Sequence, residues 1–375
     1  MKKPETELTC SVSPSGKENR YMDLMRSALR MTGIEPLSGK EICKSDYIWH
    51  HWIEKLHFLF VPKLMAATGK KVVFNVHNKI PHDSRNTGKA KQFTASMAKI
   101  AHKIVIHCNE SVEVIQGLCG KDPAILEKIV YVPHPNYIGI YGQEKKENKL
   151  SNDKLSLCFF GKVKEYKNIE LLISAIRELN FEDVELRIIG RCWNVGYFRD
   201  LIGDNIHIKT DFRFVDDQEI PEISANCHLF VLPYNLESSL NSGATLLAFS
   251  YGRSVLSSLT GTLADIEDKS MFFSYDFNSQ EEHKEALKQQ LTEIRNRYKG
   301  RYNELLTLGN QCREYVRENN SLEQVAGQLE LVFADKEKTP RNLSTRLACF
   351  SFRSIRPVIK IMLLVKKGIR ILQRN

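Results

Sequence analysis

The chain has 375 residues, 42% hydrophobic and 26% charged, a globular composition with room for roughly two to three domains that excludes fibrous and wholly disordered classes. Its 54 basic and 45 acidic side chains give a net charge of +9. Nine of the cations (Arg341, Arg346, Arg353, Arg356, Lys360, Lys366, Lys367, Arg370 and Arg374) fall in the last 35 residues, which hold no acid; the body is neutral, which argues against a nucleic-acid-binding groove.

Residues 1–20 carry Lys2, Lys3, Glu5, Glu7, Lys17 and Glu18 without the apolar core of a secretory signal. From there, β-rich runs at Leu8–Ser13, Asp46–His50, Lys71–His77, Lys103–His107 and Ile129–Val132 alternate with helical patterns at about 20–32, 54–68, 86–101 and 109–118. Residues 141–154 contain one aliphatic side chain, Leu150, and read as a solvated linker. The alternation then restarts. Strands are predicted at Leu155–Phe160, Val184–Ile189, Ile206–Lys209 and His228–Leu232, with helices at about 168–179, 194–202, 216–225 and 241–251, and charged helical text over 281–335. This grammar predicts an α/β chain of two Rossmann-like doubly wound domains, 1–140 and 155–320, joined by 141–154 and followed by helices and a basic tail over 321–375.

Doubly wound sheets bind ligands at the carboxyl ends of their strands. The segment Phe160-Gly161-Lys162-Val163-Lys164-Glu165-Tyr166-Lys167-Asn168 brings two ammonium groups and free backbone donors to a helix start, the composition of a diphosphate site. The plain alternative is a solvated turn. A second loop, Pro233 to Ala244, opens an apolar helix with Ser242-Gly243-Ala244, so that an anion can approach the positive end of the helix dipole. Capping by Asn241 or Ser242 is compatible with that role.

Together with R-I-I-G (187–190), V-D-D-Q-E-I (215–220), V-L-P-Y (231–234), S-S-x2-S-G-A (238–244) and A-x3-G-R-S-V (248–255), these loops resemble the donor half of GT-B glycosyltransferases, family-4-like, over about residues 155–270. The resemblance implies that Gly161, Lys162 and Lys167 hold a diphosphate to which Ser242, Gly243 and Ala244 present their amides. It also implies that the Phe212–Val215 loop with Phe214 lies against the base, and that Arg191 and Ser239 complete the donor-binding set. Where that family carries two glutamates eight residues apart, this chain has Ser239 and Leu247. Leu247 cannot accept a hydroxyl hydrogen bond; the chain resembles a bacterial polysaccharide subgroup with a P-Y…S-G-A signature. In the first half, Asn19-Arg20-Tyr21, Asp46 to Glu54, Val76 to Asp83 and Val132 to Tyr137 are similar to acceptor-domain loops, with His50, His51, Trp52, His77, Asn78 and His134 as candidate acceptor contacts.

The implied reaction is transfer of a hexose from a UDP- or GDP-linked sugar to a glycan or polyprenyl-linked acceptor in surface polysaccharide assembly. The leaving diphosphate would be stabilised by lysines and a helix end without metal, and the acceptor hydroxyl would be deprotonated by His82-Asp83 or Glu54. No cofactor is expected. Asp216-Asp217 with Glu219 reads as helix capping rather than as a cation site. The cysteines are odd in number (nine) with no C-x-x-C pair, which argues against a disulfide framework or zinc site. Rival readings are a nucleotide-sugar epimerase or hydrolase of the same fold, or a non-catalytic nucleotide-sugar-binding protein. No G-x-G-x-x-G follows a strand, which disfavours a dehydrogenase. The tail interleaves Leu347, Phe350, Phe352, Ile355, Val358, Ile359, Met362, Leu363, Ile369 and Leu372 with its cations, as an interfacial helix on an anionic leaflet does; the plain alternative is a C-terminal helix docked on its own protein. Its longest near-apolar run, Pro357 to Val365, is broken by Lys360 and is too short to cross a bilayer. The expected location is cytoplasmic, peripheral at the inner face of the plasma membrane.

Overall fold

The computed structural model describes residues 8–13, 19–51, 60–79, 87–143, 145, 150–236, 240–336 and 338. The chain divides into two compact units, Met1–Pro133 together with Val325–Asn375, and His134–Gln324. The basic tail, and with it the expectation of an interfacial helix, lies outside the described residues, as do Trp52, Glu54, His82, Asp83 and Ser239.

The first unit runs β1 (Leu8–Ser13), α1 (Arg20–Met31), β2 (Ile34–Ser38), β3 (Tyr47–His50), α2 (Phe60–Ala67), β4 (Lys71–Val76), α3 (Thr87–Ile100), β5 (Lys103–Ile106), α4 (Glu110–Cys119), the short α5 (Pro123–Leu126) and β6 (Ile129–Tyr131). Its sheet has the order β2-β1-β3-β4-β5-β6, and every pairing is parallel, Val12 lying opposite Trp49 and Trp49 opposite Val73. Parallel strands with helical crossovers are covered on both faces, and β3 is accordingly buried along its whole length. Strand β2 was not anticipated from the sequence because Pro36 interrupts it. It is tolerated because β2 is an edge strand, paired to β1 alone, where a missing N–H costs no ladder bond on the open side.

The second unit contains β7 (Leu155–Phe160), α6 (Ile169–Leu179), β8 (Val184–Ile189), α7 (Val195–Ile202), β9 (Ile208–Asp211), α8 (Ile220–Ala225), β10 (Leu229–Leu232), α9 (Gly243–Ser250), β11 (Ser254–Ser258), α10 (Thr262–Asp265), β12 (Phe273–Tyr275), α11 (Gln280–Tyr298) and α12 (Glu304–Asn319). A second all-parallel sheet, β12-β11-β10-β7-β8-β9, carries them. Helix α6 buries Ile169, Leu172, Ile173 and Ile176, one stripe at helical spacing, and Asn168 and Asn180 in left-handed backbone close its two ends. Strand β9 begins at Ile208 rather than Ile206, whose side chain is 80% exposed. Strands β11 and β12 were also missed. β11 reads Ser-Val-Leu-Ser-Ser yet is wholly buried, because its hydroxyls donate to carbonyls: Ser254 Oγ to Met271 O, Ser257 Oγ to Leu232 O and Ser258 Oγ to Tyr234 O. Asp216 and Glu219 form a capping box, and Glu219 also receives the Arg213 guanidinium on both oxygens.

Helix α13 (Leu322–Val332) leads the chain back into the first unit. There Phe333, 1% exposed, stands edge-on to Tyr47 at 5.1 Å and to Trp49 at 5.7 Å between ring centroids, and Asp335 receives both Lys71 Nζ (2.9 Å) and His102 Nε2 (2.7 Å). Phe333→Ala removes a ring from a packed core, and equilibrium urea unfolding should show a loss of about 3–5 kcal/mol in the first unit; a loss below about 1 kcal/mol would mean that this residue does not close the core.

Candidate active site

Strands β7 and β8 are paired throughout and end side by side at Gly161 and Gly190. Both glycines sit at positive φ (128° and 137°), and a Cβ on Gly190 would fall 2.2 Å from the Gly161 carbonyl oxygen. No side chain fits there. Gly161 N donates to Ile189 O at 2.9 Å and Val163 N to Arg191 O at 3.0 Å, so the two strand ends leave the sheet together.

The chain after Gly161 makes one tight turn, Glu165–Lys167, which Asn168 in left-handed conformation (φ 49°) converts into α6. This turn folds Lys167 back over its own strand. Its Nζ lies where a Cβ on Gly161 would stand only 2.9 Å away, and 5.4, 6.0 and 5.5 Å from the ring centroids of Phe159, Tyr166 and Tyr234. The side chain is 9% exposed, and among the described residues no carboxylate is paired with it. Burial, reinforced by the like charges of Lys164 and Lys162, lowers its pKa to about 8. Lys162 itself is exposed.

Two hydrogen bonds tie this turn to the loop after β10: Asn235 N donates to Tyr166 O (3.0 Å) and Asn168 Nδ2 to Pro233 O (3.1 Å). That loop runs into α9, whose N-cap is Ser242, its Oγ accepting from Thr245 N at 3.1 Å and donating to the Tyr234 hydroxyl at 3.2 Å. Tyr234 thus joins the parts: its ring is beside the Lys167 ammonium and its hydroxyl is on the helix cap. Gly243 and Ala244, the first residues of α9, are half-buried, and the Tyr137 hydroxyl is at contact distance, 3.4 Å, from where a Gly243 Cβ would be. A small cavity beside Ser242 is lined by Tyr234, Thr245, Ser257, Thr260 and Thr262. Of the family's expected acidic positions, Leu247 is buried in the α9 core.

At the adjoining strand ends, Arg191 lies with its guanidinium 5.3 Å from the Phe214 ring, which is 57% exposed. Trp193 and Tyr197 stack nearby at 6.1 Å, both exposed. Tyr234 enters the sequence analysis only within the V-L-P-Y motif and without a site role, and the exposed pair does not enter it.

In the first unit the structure gathers side chains from four elements. Tyr21 on α1 places its hydroxyl 2.8 Å from His107 Nε2, just past β5, and 3.3 Å from His51 Nδ1, just past β3. Asn75 on β4 reaches His77 Nε2 at 3.0 Å and His107 Nε2 at 2.9 Å. Burial, then the charges of His107 and Arg26, depress the His51 pKa well below its usual value. His77 is half-buried, whereas His51 and His107 are fully buried, and Asn78 follows at a half-buried position. His107 was not among the candidates, although it ends its strand as His77 ends the preceding one. His50 does not join the cluster; strand alternation turns it to the other face, where it packs on Phe74 and Phe93. His134 belongs to the second unit. There its Nδ1 is 2.9 Å from Pro135 O, its carbonyl accepts from Asn320, and burial lowers its pKa to about 4 against the opposing backbone bond.

Residues 154–296 match the family of glycosyl transferases group 1. The second unit carries a group 1 glycosyltransferase domain. Over 287 residues, 70% of this chain and 76% of the relative, the protein is 25% identical to the GDP-mannose:glycolipid 4-beta-D-mannosyltransferase of Xanthomonas campestris pv. campestris. Each unit is a parallel-sheet α/β domain of the Rossmann-like kind found in GT-B enzymes. The chain is similar to Anabaena HepE solved with UDP (TM-score 0.63, 11% identity, 88% of this chain and 100% of that one) and to sucrose-phosphate synthase of Thermosynechococcus elongatus (TM-score 0.65, 12% identity, 88% and 99%). HepE has also been solved with UDP and glucose. The glycosyltransferase domain thus brings Gly161, Lys167, Ser242, Gly243 and Ala244 into one region, with Arg191 and Phe214 at the neighbouring strand ends.

An anion bound at Lys167 favours its protonated form, so binding above the free pKa takes up a proton and weakens as pH rises through about 8. Calorimetric titration with UDP or GDP should show affinity falling between about pH 7 and about pH 9, while Lys167→Met binds at least about tenfold more weakly with that pH dependence removed. Wild-type affinity in the Met variant would take Lys167 out of the site.

Proposed function

We propose that this glycosyltransferase moves a hexose from a UDP- or GDP-linked sugar to a glycan or lipid-linked acceptor at a membrane surface. One observation carries the reading: a buried ammonium, Lys167, has aromatic faces but no carboxylate beside it among the described residues. Desolvating a cation without a counter-charge is costly, and an anionic ligand supplies what the described residues leave out. A diphosphate suits the surroundings, because the α9 start offers amides at Gly243 and Ala244 and Lys162 adds a second charge.

As the anomeric bond lengthens, charge grows on the leaving nucleoside diphosphate. Lys167, Lys162 and the α9 dipole stabilise that charge in the transition state more than in the bound donor, without recourse to metal. Arg191 and Phe214 would lie against the base, with Ser239 completing the donor set. The acceptor belongs to the first unit, with His51, His77, Asn78 and Trp52 as its contacts, and His82-Asp83 or Glu54 as the proton acceptor. The similarity to a GDP-mannose-dependent glycolipid enzyme favours a lipid-linked acceptor. The all-cationic segment 341–375 would hold the enzyme at an anionic leaflet, each Lys or Arg contributing about 1 kcal/mol. No helix among the described residues is long and apolar enough to cross a membrane.

Incubation with UDP-glucose and GDP-mannose and a polyprenyl-linked oligosaccharide, read by mass spectrometry, should show the acceptor gain one hexose; release of free sugar alone would replace transfer by hydrolysis. Truncation after Pro340 should abolish sedimentation with anionic vesicles, and undiminished co-sedimentation would remove the tail from membrane contact.

A further inference from the structure

The histidine cluster of the first unit contains enough one-way donors and acceptors to fix where its protons sit. The indole Nε1 of Trp49 is a donor only, and it lies 3.2 Å from Asn75 Oδ1. That contact sets the orientation of the Asn75 amide: its oxygen faces Trp49 and its NH2 faces the histidines. Both amide hydrogens then have receivers, His77 Nε2 at 3.0 Å and His107 Nε2 at 2.9 Å. Each of those ring nitrogens must present a lone pair. His107 closes the argument from its other side, since Nδ1 lies 2.6 Å from the carbonyl oxygen of Val132, which can only accept.

We propose that Asn75 is a positioning residue that locks His77 and His107 in their neutral Nδ1–H tautomers, so that His77 Nε2 does not take the acceptor's proton. A neutral histidine acts as a base through its bare nitrogen, and in His77 that nitrogen is engaged by Asn75. Protonating it would set N–H against N–H at 3.0 Å, an arrangement that burial makes more costly. Arg26 disfavours charge on His51, and the Tyr21 hydroxyl lies 2.8 Å from His107 Nε2 and 3.3 Å from His51 Nδ1, so that its O–H and the Asn75 N–H converge on, and share, the one lone pair of His107 Nε2. The His77 ring lies 5.8 Å from that of His51 and 5.1 Å from that of His107, so a charge on His77 would oppose charge on either neighbour. The tautomers follow from hydrogen bonding alone; the role of His77 toward a ligand rests on the acceptor reading given above.

The test is a long-range proton–nitrogen correlation spectrum of the full-length protein labelled with nitrogen-15 histidine, recorded without donor at about pH 7, with His77→Gln and His107→Gln used for assignment. Both signals should show the neutral Nδ1–H pattern. A neutral Nε2–H pattern or an imidazolium pattern at His77 would overturn the proposal. In Asn75→Asp the amide donor is replaced by an acceptor, so at least one of the two rings should change to a protonated Nε2 and titrate at least about one unit higher; unchanged spectra in a folded variant would deny Asn75 its role. Should that variant fail to fold, the wild-type spectrum still decides. Because neither reading depends on turnover, the tautomers stand or fall separately from the transferase assignment.

Discussion

The second unit is organised around a cation kept from water. An ammonium that is nine-tenths buried needs compensation, and the protein provides three aromatic faces, each worth about 0.5–2 kcal/mol to a partly desolvated cation, and two neighbouring lysines that work against it. Much of the local structure serves to hold it there. Gly161 leaves the space that Nζ occupies, Gly190 lets β8 end against the Gly161 carbonyl, and Asn168 turns the chain so that Lys167 folds inward. The cross-bonds from Asn168 to Pro233 and from Asn235 to Tyr166 keep Tyr234 beside it. These two bonds hold the Tyr166–Asn168 turn and the Pro233–Asn235 segment to each other, and groups held in this way need less ordering on binding.

The first unit solves a different problem with the same sheet geometry. Its strand ends collect imidazoles, which at close range would repel one another if charged. The solution is one amide, oriented by an indole and shared between two rings, with a backbone carbonyl fixing the third contact. One end of a sheet thus displays a preserved cation, and the end of the other displays histidines arranged for neutrality. Both follow from the placement of polar residues just past parallel strands, where side chains leave the core but remain largely desolvated.

The architecture was legible in the sequence because parallel strands and amphipathic crossovers leave strong periodic marks: β7, β8 and α6 fall where Leu155–Phe160, Val184–Ile189 and the Ile169 to Leu179 stripe placed them. Two of the strands that escaped did so for a physical reason. β11 hides its burial in serines whose hydroxyls bond to carbonyls that are distant in sequence, and β2 carries a proline that only an edge position permits. In the site, strand-ending glycines and lysines were visible as motifs, whereas Tyr234 and Asn75 gain their importance from partners on other strands. His50 shows the converse limit. Adjacent to His51 and identical in type, it is turned to the opposite face by the two-residue period of a strand.

Phe333 and Asp335 come from the far end of the described chain yet finish the core and rim of the first unit. The first unit is therefore assembled from discontinuous pieces, and its completion must wait for residues synthesised after the entire second unit. A nascent chain released at Pro133 would hold six strands with an uncovered Tyr47–Trp49 face, so during translation the later unit has the shorter route to a finished core. For anyone wishing to study the first unit in isolation, a simple truncation is the wrong architecture; residues from Val325 onward must be reattached by a short linker or a permuted order of the gene.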